Sequence, residues 1–218
     1  MLWNLSDWKQ MLYILPAILF ALTIHEFFHA FTAYKMGDNT SLKQGRLTLN
    51  PIPHLDPIGF LMMLLAGFGW AKPVQINPDN FHRPKRDEIL VSLAGPFANL
   101  ILAFVFGLFF KVLLKVAPAL FQENAAGKML ANFFIVGIWI NLALAVFNLL
   151  PIPPLDGSHL LLILIPDRYY AFKRRLLQFG AIALIVLLIV GERFNLNLLP
   201  IFPVTKYLFR GLIKFFAF

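Results

Sequence analysis

The stretch MLYILPAILFALTIHEFFHAFTAY, Met11 to Tyr34, decides how this chain is read. It is apolar almost throughout and long enough to cross a bilayer, whose core takes about 20 helical residues. Yet it carries His25, Glu26 and His29. Ionisable groups are costly in hydrocarbon, so their presence inside a span points to a functional site with partners elsewhere in the chain. At a spacing of four, the two histidines share one helix face with β-carbons about 5–6 Å apart. Both imidazoles can then reach one zinc at about 2.0–2.1 Å. Glu26, next to the first histidine, is poorly placed as a further ligand but can hold a water beside the metal, the arrangement of a His-Glu-x-x-His helix. Hydrogen bonding between packed helices is the plainer reading of a histidine in a span. Three polar groups in hydrocarbon would each need a separate partner to avoid a desolvation cost, which favours one shared site.

The composition agrees with a membrane setting. The chain has 218 residues, 59% of them hydrophobic and 14% charged, with a mean hydropathy of +0.73, unlike a soluble domain of ordinary composition. The expectation is an all-α polytopic membrane protein, one domain over residues 1–218, with about 4–6 transmembrane helices and a small re-entrant or β-hairpin element near the site. Asp7 and Lys9 precede a full-length span, unlike a secretory leader, so the first span is expected to be retained. There is no cysteine, which excludes disulfides, thiolate zinc sites and thiol nucleophiles, so any metal must use histidine and carboxylate. The net charge of +8 is scattered beside apolar runs. That pattern fits anionic lipid headgroups and not nucleic acid.

Beyond the first span, GRLTLN and Val74 to Asn77 have the alternation of short strands. Ile58 to Ala71 is apolar but too short to cross comfortably, which predicts a re-entrant hairpin. Ile89 to Leu114 and Met129 to Leu150 are clear spans, and Leu176 to Val190 crosses with help from its flanks. In the C-terminal segment, residues 196–218, Lys206, Arg210 and Lys214 form a cationic stripe among Leu and Phe, predicting an interfacial helix. Lysine and arginine concentrate in 35–88 and 151–175 and are sparse near Lys9, Lys111, Lys115, Lys128 and Arg193. The first set is therefore expected to be cytoplasmic.

Two histidines leave a catalytic zinc short of a third protein ligand. The missing carboxylate should lie far along the chain at the same membrane depth. Asp156, in NLLPIPPLDG directly after a span, fits: the prolines force irregular backbone, which is tolerated at that depth only inside protein or beside a water-filled cavity. Asp56 in HLDPIG, with His54 nearby, is the rival. His159, three residues past Asp156, could support that ligand, although an interfacial position suits it better. Gly95 and Asn99 open the next long span with small and polar groups, Gly95 for close helix packing and Asn99 facing a polar cavity.

HEFFH together with NLLPIPPLDG resembles the site-2 protease family of intramembrane zinc metalloproteases, peptidase family M50, whose patterns are HExxH and NxxPxPxLDG. GRLTLNPIPHLDPIG, GWAKPV and AGPFANL look like a compact bacterial and archaeal branch, without the PDZ or CBS domains of many members. The resemblance implies one zinc on His25, His29 and Asp156, with Glu26 as catalytic base. It gives Asn148 a polar role at the active site, where an amide could hydrogen-bond the substrate backbone or the oxyanion. It further implies a multi-pass prokaryotic cell-membrane enzyme, its site towards the cytoplasm, cutting transmembrane proteins or peptides in or near their spans. The oligomeric state is left open. Two other classes compete. A metal transporter or sensor would use the same side chains but would need acidic or histidine groups along a path from both faces. A non-proteolytic scaffold would have no use for an intact Glu26.

Overall fold

The computed structural model describes residues 8–66, 69–121, 124–194, 196 and 198–217. Eight α-helices occur among them: α1 Trp8–Lys35, α2 Thr40–Lys43, α3 Pro57–Ala66, α4 Pro84–Val116, α5 Ala125–Asn148, α6 Gly157–Leu164, α7 Tyr170–Arg193 and α8 Ile201–Phe216. Four helical stretches are long and apolar enough to cross a membrane: Lys9–Lys35, Pro84–Val116, Ala125–Asn148 and Asp167–Gly191. The chain is an all-α polytopic membrane protein.

Helices α1, α4 and α5 form the central bundle. Its contact faces are built from small residues, since without a hydrophobic drive between helices in lipid, stability comes from close backbone approach and van der Waals packing. Ala17 and Ala21 of α1, with Ile14, pack on Val136 and Ile140 of α5. Ala103 and Phe106 of α4 pack on Ile138 and Leu142. A β-carbon at Gly137 would collide with the Phe106 ring. Large apolar side chains such as Leu12, Phe20, Ile101 and Phe109 face outward, as a lipid surroundings requires. A third cluster, of Ala33, Phe81 and Val91, joined by Met36 and Ile76, closes the bundle at the end where α1 finishes and α4 begins.

Helix α3 leaves the loop region and the chain returns to its start. Leu55 pairs antiparallel with Ala71, and the Lys72 N–H donates to the His54 carbonyl at 2.8 Å. The crossing is tight enough that a β-carbon at Gly59 would overlap the Trp70 carbonyl oxygen. Residues 67 and 68 of the expected Ile58 to Ala71 hairpin lie outside the described residues.

The expected short strands at 45–50 and 74–77 are not formed: among the described residues the Leu55–Ala71 bridge is isolated and no strand occurs. The reason is that side chains take the backbone groups a ladder would use. Glu26 accepts from the Val74 N–H at 2.9 Å, Asp38 from the Asn77 N–H at 2.8 Å, and the Gln75 carbonyl accepts from Ser41 Oγ at 2.8 Å. The Lys72 carbonyl accepts from Arg46 Nη1 at 3.2 Å, and the Thr48 carbonyl lies 2.9 Å from His54 Nε2. What looks like two short strands in the sequence is a strap pinned against α1 and the loop that follows it.

Helix α8 packs by Leu208, Phe209 and Leu212 on Ala103, Phe106, Ile138 and Leu142, residues halfway along α4 and α5.

Candidate metal centre

His25 and His29 sit four residues from each other in the C-terminal half of α1, their rings 4.6 Å apart and nearly perpendicular. Both are buried, as is Glu26. Asp156 arrives from the turn between α5 and α6. Its Oδ2 lies 3.2 Å from His25 Nε2 and 3.3 Å from His29 Nε2, and the two Nε2 atoms are 3.0 Å apart.

The hydrogen bonds behind the rings fix what those nitrogens are. His29 Nδ1 is 2.7 Å from the Val91 carbonyl, which can only accept, so Nδ1 carries the proton. His25 Nδ1 is 2.6 Å from Asn99 Oδ1. The orientation of Asn99 is set in turn, because its Nδ2 donates to the Ala21 carbonyl at 3.2 Å and to Asn141 Oδ1 at 2.8 Å. Asn141 Nδ2 donates to the Gly137 carbonyl at 2.8 Å. A relay running from α5 through α4 thus places the proton of His25 on Nδ1. In the neutral rings both Nε2 atoms present lone pairs, and they converge on a carboxylate oxygen that is buried and has no hydrogen-bond donor. Three acceptors so close repel one another unless a cation sits among them. A tetrahedral zinc with ligands at about 2.0–2.1 Å requires ligand atoms about 3.3 Å apart, close to the separations seen. The residues fit the metal.

Space is reserved at the same point. A β-carbon at Gly95 of α4 would fall on His29 Nε2 and on Cε1 and Nε2 of His25. Glycine is the residue that lets α4 pass this close without filling the site.

The chain contains the hexapeptide pattern P-I-P-x-L-D twice, ending at Asp56 and at Asp156, and the structure treats the two carboxylates differently. Asp56 Oδ1 accepts from the Gly59 N–H at 2.8 Å and so caps α3. Asp156 stands in the same position before α6 but makes no side-chain cap, and its carboxylate turns to the histidines. Asp56 is absent from the convergent group of His25, His29 and Asp156.

The site opens into a cleft of about 230 Å³, lined among others by Glu26, His29, Val74, Glu88, Asp156 and His159. Glu26 Oε2 is held by the Val74 N–H. His159 does not touch the Asp156 carboxylate; its Nδ1 is 2.8 Å from Glu88 Oε1, joining α6 to α4 across the cleft. Asn148 does not line this cleft, and its Nδ2 donates to the Leu144 carbonyl one turn back at 3.1 Å. Asp38, which anchors the strap, is buried, which would raise its carboxyl, but hydrogen bonds from Thr40, Asn80 and Asn77 outweigh this and hold it below the ordinary carboxylate value. The sequence singled out Asn99 without a partner, read Val74 only as part of a short strand, and passed over Asn141, Val91 and Glu88. Asn141 left a signal, an amide in the midst of the apolar run IWINLAL.

The relay carries a prediction. Asn99→Leu removes the acceptor for His25 Nδ1–H, freeing the ring to turn and change tautomer. Zinc affinity should fall about 10–100-fold, the usual cost of losing such an outer partner, measured by competition with a chromogenic chelator.

The comparisons with known proteins agree with this chemistry. The sequence model of Peptidase family M50 matches residues 114–191. The chain is 45% identical over 177 residues to the "Putative zinc metalloprotease YwhC" of Bacillus subtilis, covering 81% of this chain and 80% of that protein. It is 34% identical over 149 residues to the Rip2 protein of Mycolicibacterium smegmatis, which carries the same description, covering 66% of this chain and 54% of the relative. A protein so described from Methanocaldococcus jannaschii is 36% identical over 104 residues, 48% of this chain and 49% of its own. The chain thus spans most of YwhC and about half of the other two. No solved structure matches.

Proposed function

The chain belongs to peptidase family M50 and is a metalloprotease, and from that premise we propose that it is an intramembrane endopeptidase using one zinc held by His25, His29 and Asp156. The observation that carries this reading is the convergence of three acceptor atoms within 4.8 Å of one another on elements that meet inside the bundle. A zinc held there supplies Lewis acidity, polarising a carbonyl and acidifying water. Glu26, anchored through Oε2 by Val74, uses its other oxygen to take a proton from the attacking water and pass it to the leaving amine. Asn99 and Val91 hold the histidine rings in register. The Glu88–His159 pair closes one side of the cleft.

The site lies in the C-terminal half of α1, a helix long and apolar enough to cross a membrane, so a bond cut here lies in or near the span of a membrane-embedded substrate. The basic loops on the side of the cleft favour a cytoplasmic position, and the bacterial and archaeal relatives favour the cell membrane of a prokaryote. Asn148 remains a proposed substrate contact, reached only if its bond to Leu144 is exchanged for one to the substrate.

The test is reconstitution with a single-span reporter protein carrying a soluble tag on each side. Cleavage that maps within or beside the span, stops with a zinc chelator and returns on adding one equivalent of zinc is the expected outcome. Cleavage confined to the soluble tags would defeat the intramembrane reading.

A further inference from the structure

Helix α8 turns Lys206, Arg210 and Lys214 outward, all exposed, and Tyr207 between them is 79% exposed. The depth of this face follows from packing. The Asn99–Asn141 hydrogen bond and the seating of Phe106 on Gly137 put those levels of α4 and α5 side by side. Near one end of α8 the Phe202 ring lies 5.7 Å from Trp139, and from the middle of the helix the Phe209 ring lies 5.3 Å from it. At the other end, Phe216 rests on Gly107 and lies 5.2 Å from Phe104. One end therefore meets α5 near its middle and the other meets α4 about one turn short of Lys111, so that α8 crosses α4 and α5 instead of running along them. The next cations outward are Lys128 on α5, about 16 Å beyond Trp139, and the exposed Lys111 on α4, about 10 Å beyond Phe104 and about 6 Å beyond Gly107.

On the lipid-facing side of α4 at this level stand Ile101, Phe104 and Leu108, exposed and apolar. Three cations at the same depth cannot face acyl chains. Among the described residues none of the three pairs with a carboxylate, Lys206 lying only over the Phe202 ring at 5.7 Å. Beside them runs a groove of about 700 Å³ with Phe104, Leu208, Leu212 and Phe215 along its apolar wall and Tyr207, Arg210 and Lys214 at its polar rim. Gly211 leaves the groove open. An apolar wall for acyl chains under a cationic rim for phosphate is the shape of an anionic phospholipid.

We infer that α8 draws anionic phospholipid headgroups down to the middle of the α4–α5 pair, thinning the leaflet on the side of Lys111, Lys115 and Lys128. This rests on the membrane-spanning fold and is independent of the protease reading. It also gives the expected interfacial helix a place against the middle of α4 and α5.

The chain has no cysteine, so single nitroxide labels report depth directly. Tyr207→Cys and Ile101→Cys are labelled and reconstituted in vesicles of phosphatidylcholine and phosphatidylglycerol, and collisions with oxygen and a water-soluble nickel chelate are compared. The expected result is a nickel-accessible, headgroup-depth Tyr207 label beside an oxygen-rich Ile101 label at the same level of the bundle. Adding Lys206→Gln, Arg210→Gln and Lys214→Gln should move the Tyr207 label to the Ile101 values and lower the phosphatidylglycerol retained through detergent purification. A Tyr207 label at hydrocarbon depth in the parent protein overturns the inference. So does a label shielded from both relaxants, which would mean a protein partner covers α8, and so does a headgroup depth that the triple substitution leaves unchanged.

Discussion

Asp156→Ala is expected to strip the zinc and end proteolysis, while Asp56→Ala keeps both. The two aspartates close identical short patterns before a helix, so local sequence gives no ground for a difference. Their hydrogen bonds do. Asp56 spends its carboxylate on the Gly59 N–H, and its removal should lower stability by about 1 kcal/mol, the usual cost of a lost helix cap. Asp156 leaves the cap of α6 unmade and offers a buried, donor-free oxygen 3.2 and 3.3 Å from two imidazole nitrogens. Removing it leaves two ligands where a catalytic zinc needs three. Zinc per chain, measured by elemental analysis of folded detergent-purified protein, separates the two. Equal retention of zinc by Asp156→Ala and the parent would show that the three acceptors are not a metal site.

Glu26→Gln should lower turnover by about 10²–10⁴-fold, the range for a general base, with zinc content unchanged. The substitution is nearly isosteric, and the amide oxygen can still accept the Val74 N–H now bonded to Oε2, so the strap stays in place. What is lost is the ability to take a proton. Single-turnover cleavage of the spanning reporter, alongside zinc content, checks both halves. Full activity in Glu26→Gln would remove Glu26 from the chemistry. Loss of zinc together with activity would make it a ligand or a structural residue instead. A metal transporter or sensor built on the same ligands would be indifferent to this change in its metal binding, and would show no proteolysis in the parent protein either.

The strap shows where local pattern misled. Residues 45–50 and 74–77 alternate as strands do, but Asp38, Ser41, Arg46 and Glu26 bond to the backbone that a sheet would have used. Each of these side chains lies 26 or more residues along the chain from the backbone group it bonds. Periodicity reports which faces are apolar, and it cannot say whether a backbone group will find its mate in another strand or in a distant side chain.

By itself the sequence determined the membrane class, because hydrocarbon accepts long apolar helices and little else. It also determined the His25, Glu26 and His29 constellation, because helical spacing fixes their common face. Its recurrent motifs carried the family, with Asp156 the ligand that the resemblance implied. The tertiary structure decided which aspartate joins the histidines, since that depends on where two loops fold back. It also decided the tautomer of His25, which is set by amides on two other helices, and the narrow passage that Gly95 allows over the site. It placed the stripe of α8 at the waist of the bundle, since an amphipathic helix records that one face is polar but not the depth at which it docks. Spacing along one helix is local geometry and can be read from sequence, whereas depth, register between helices and the partner of a buried polar group arise only when distant segments pack.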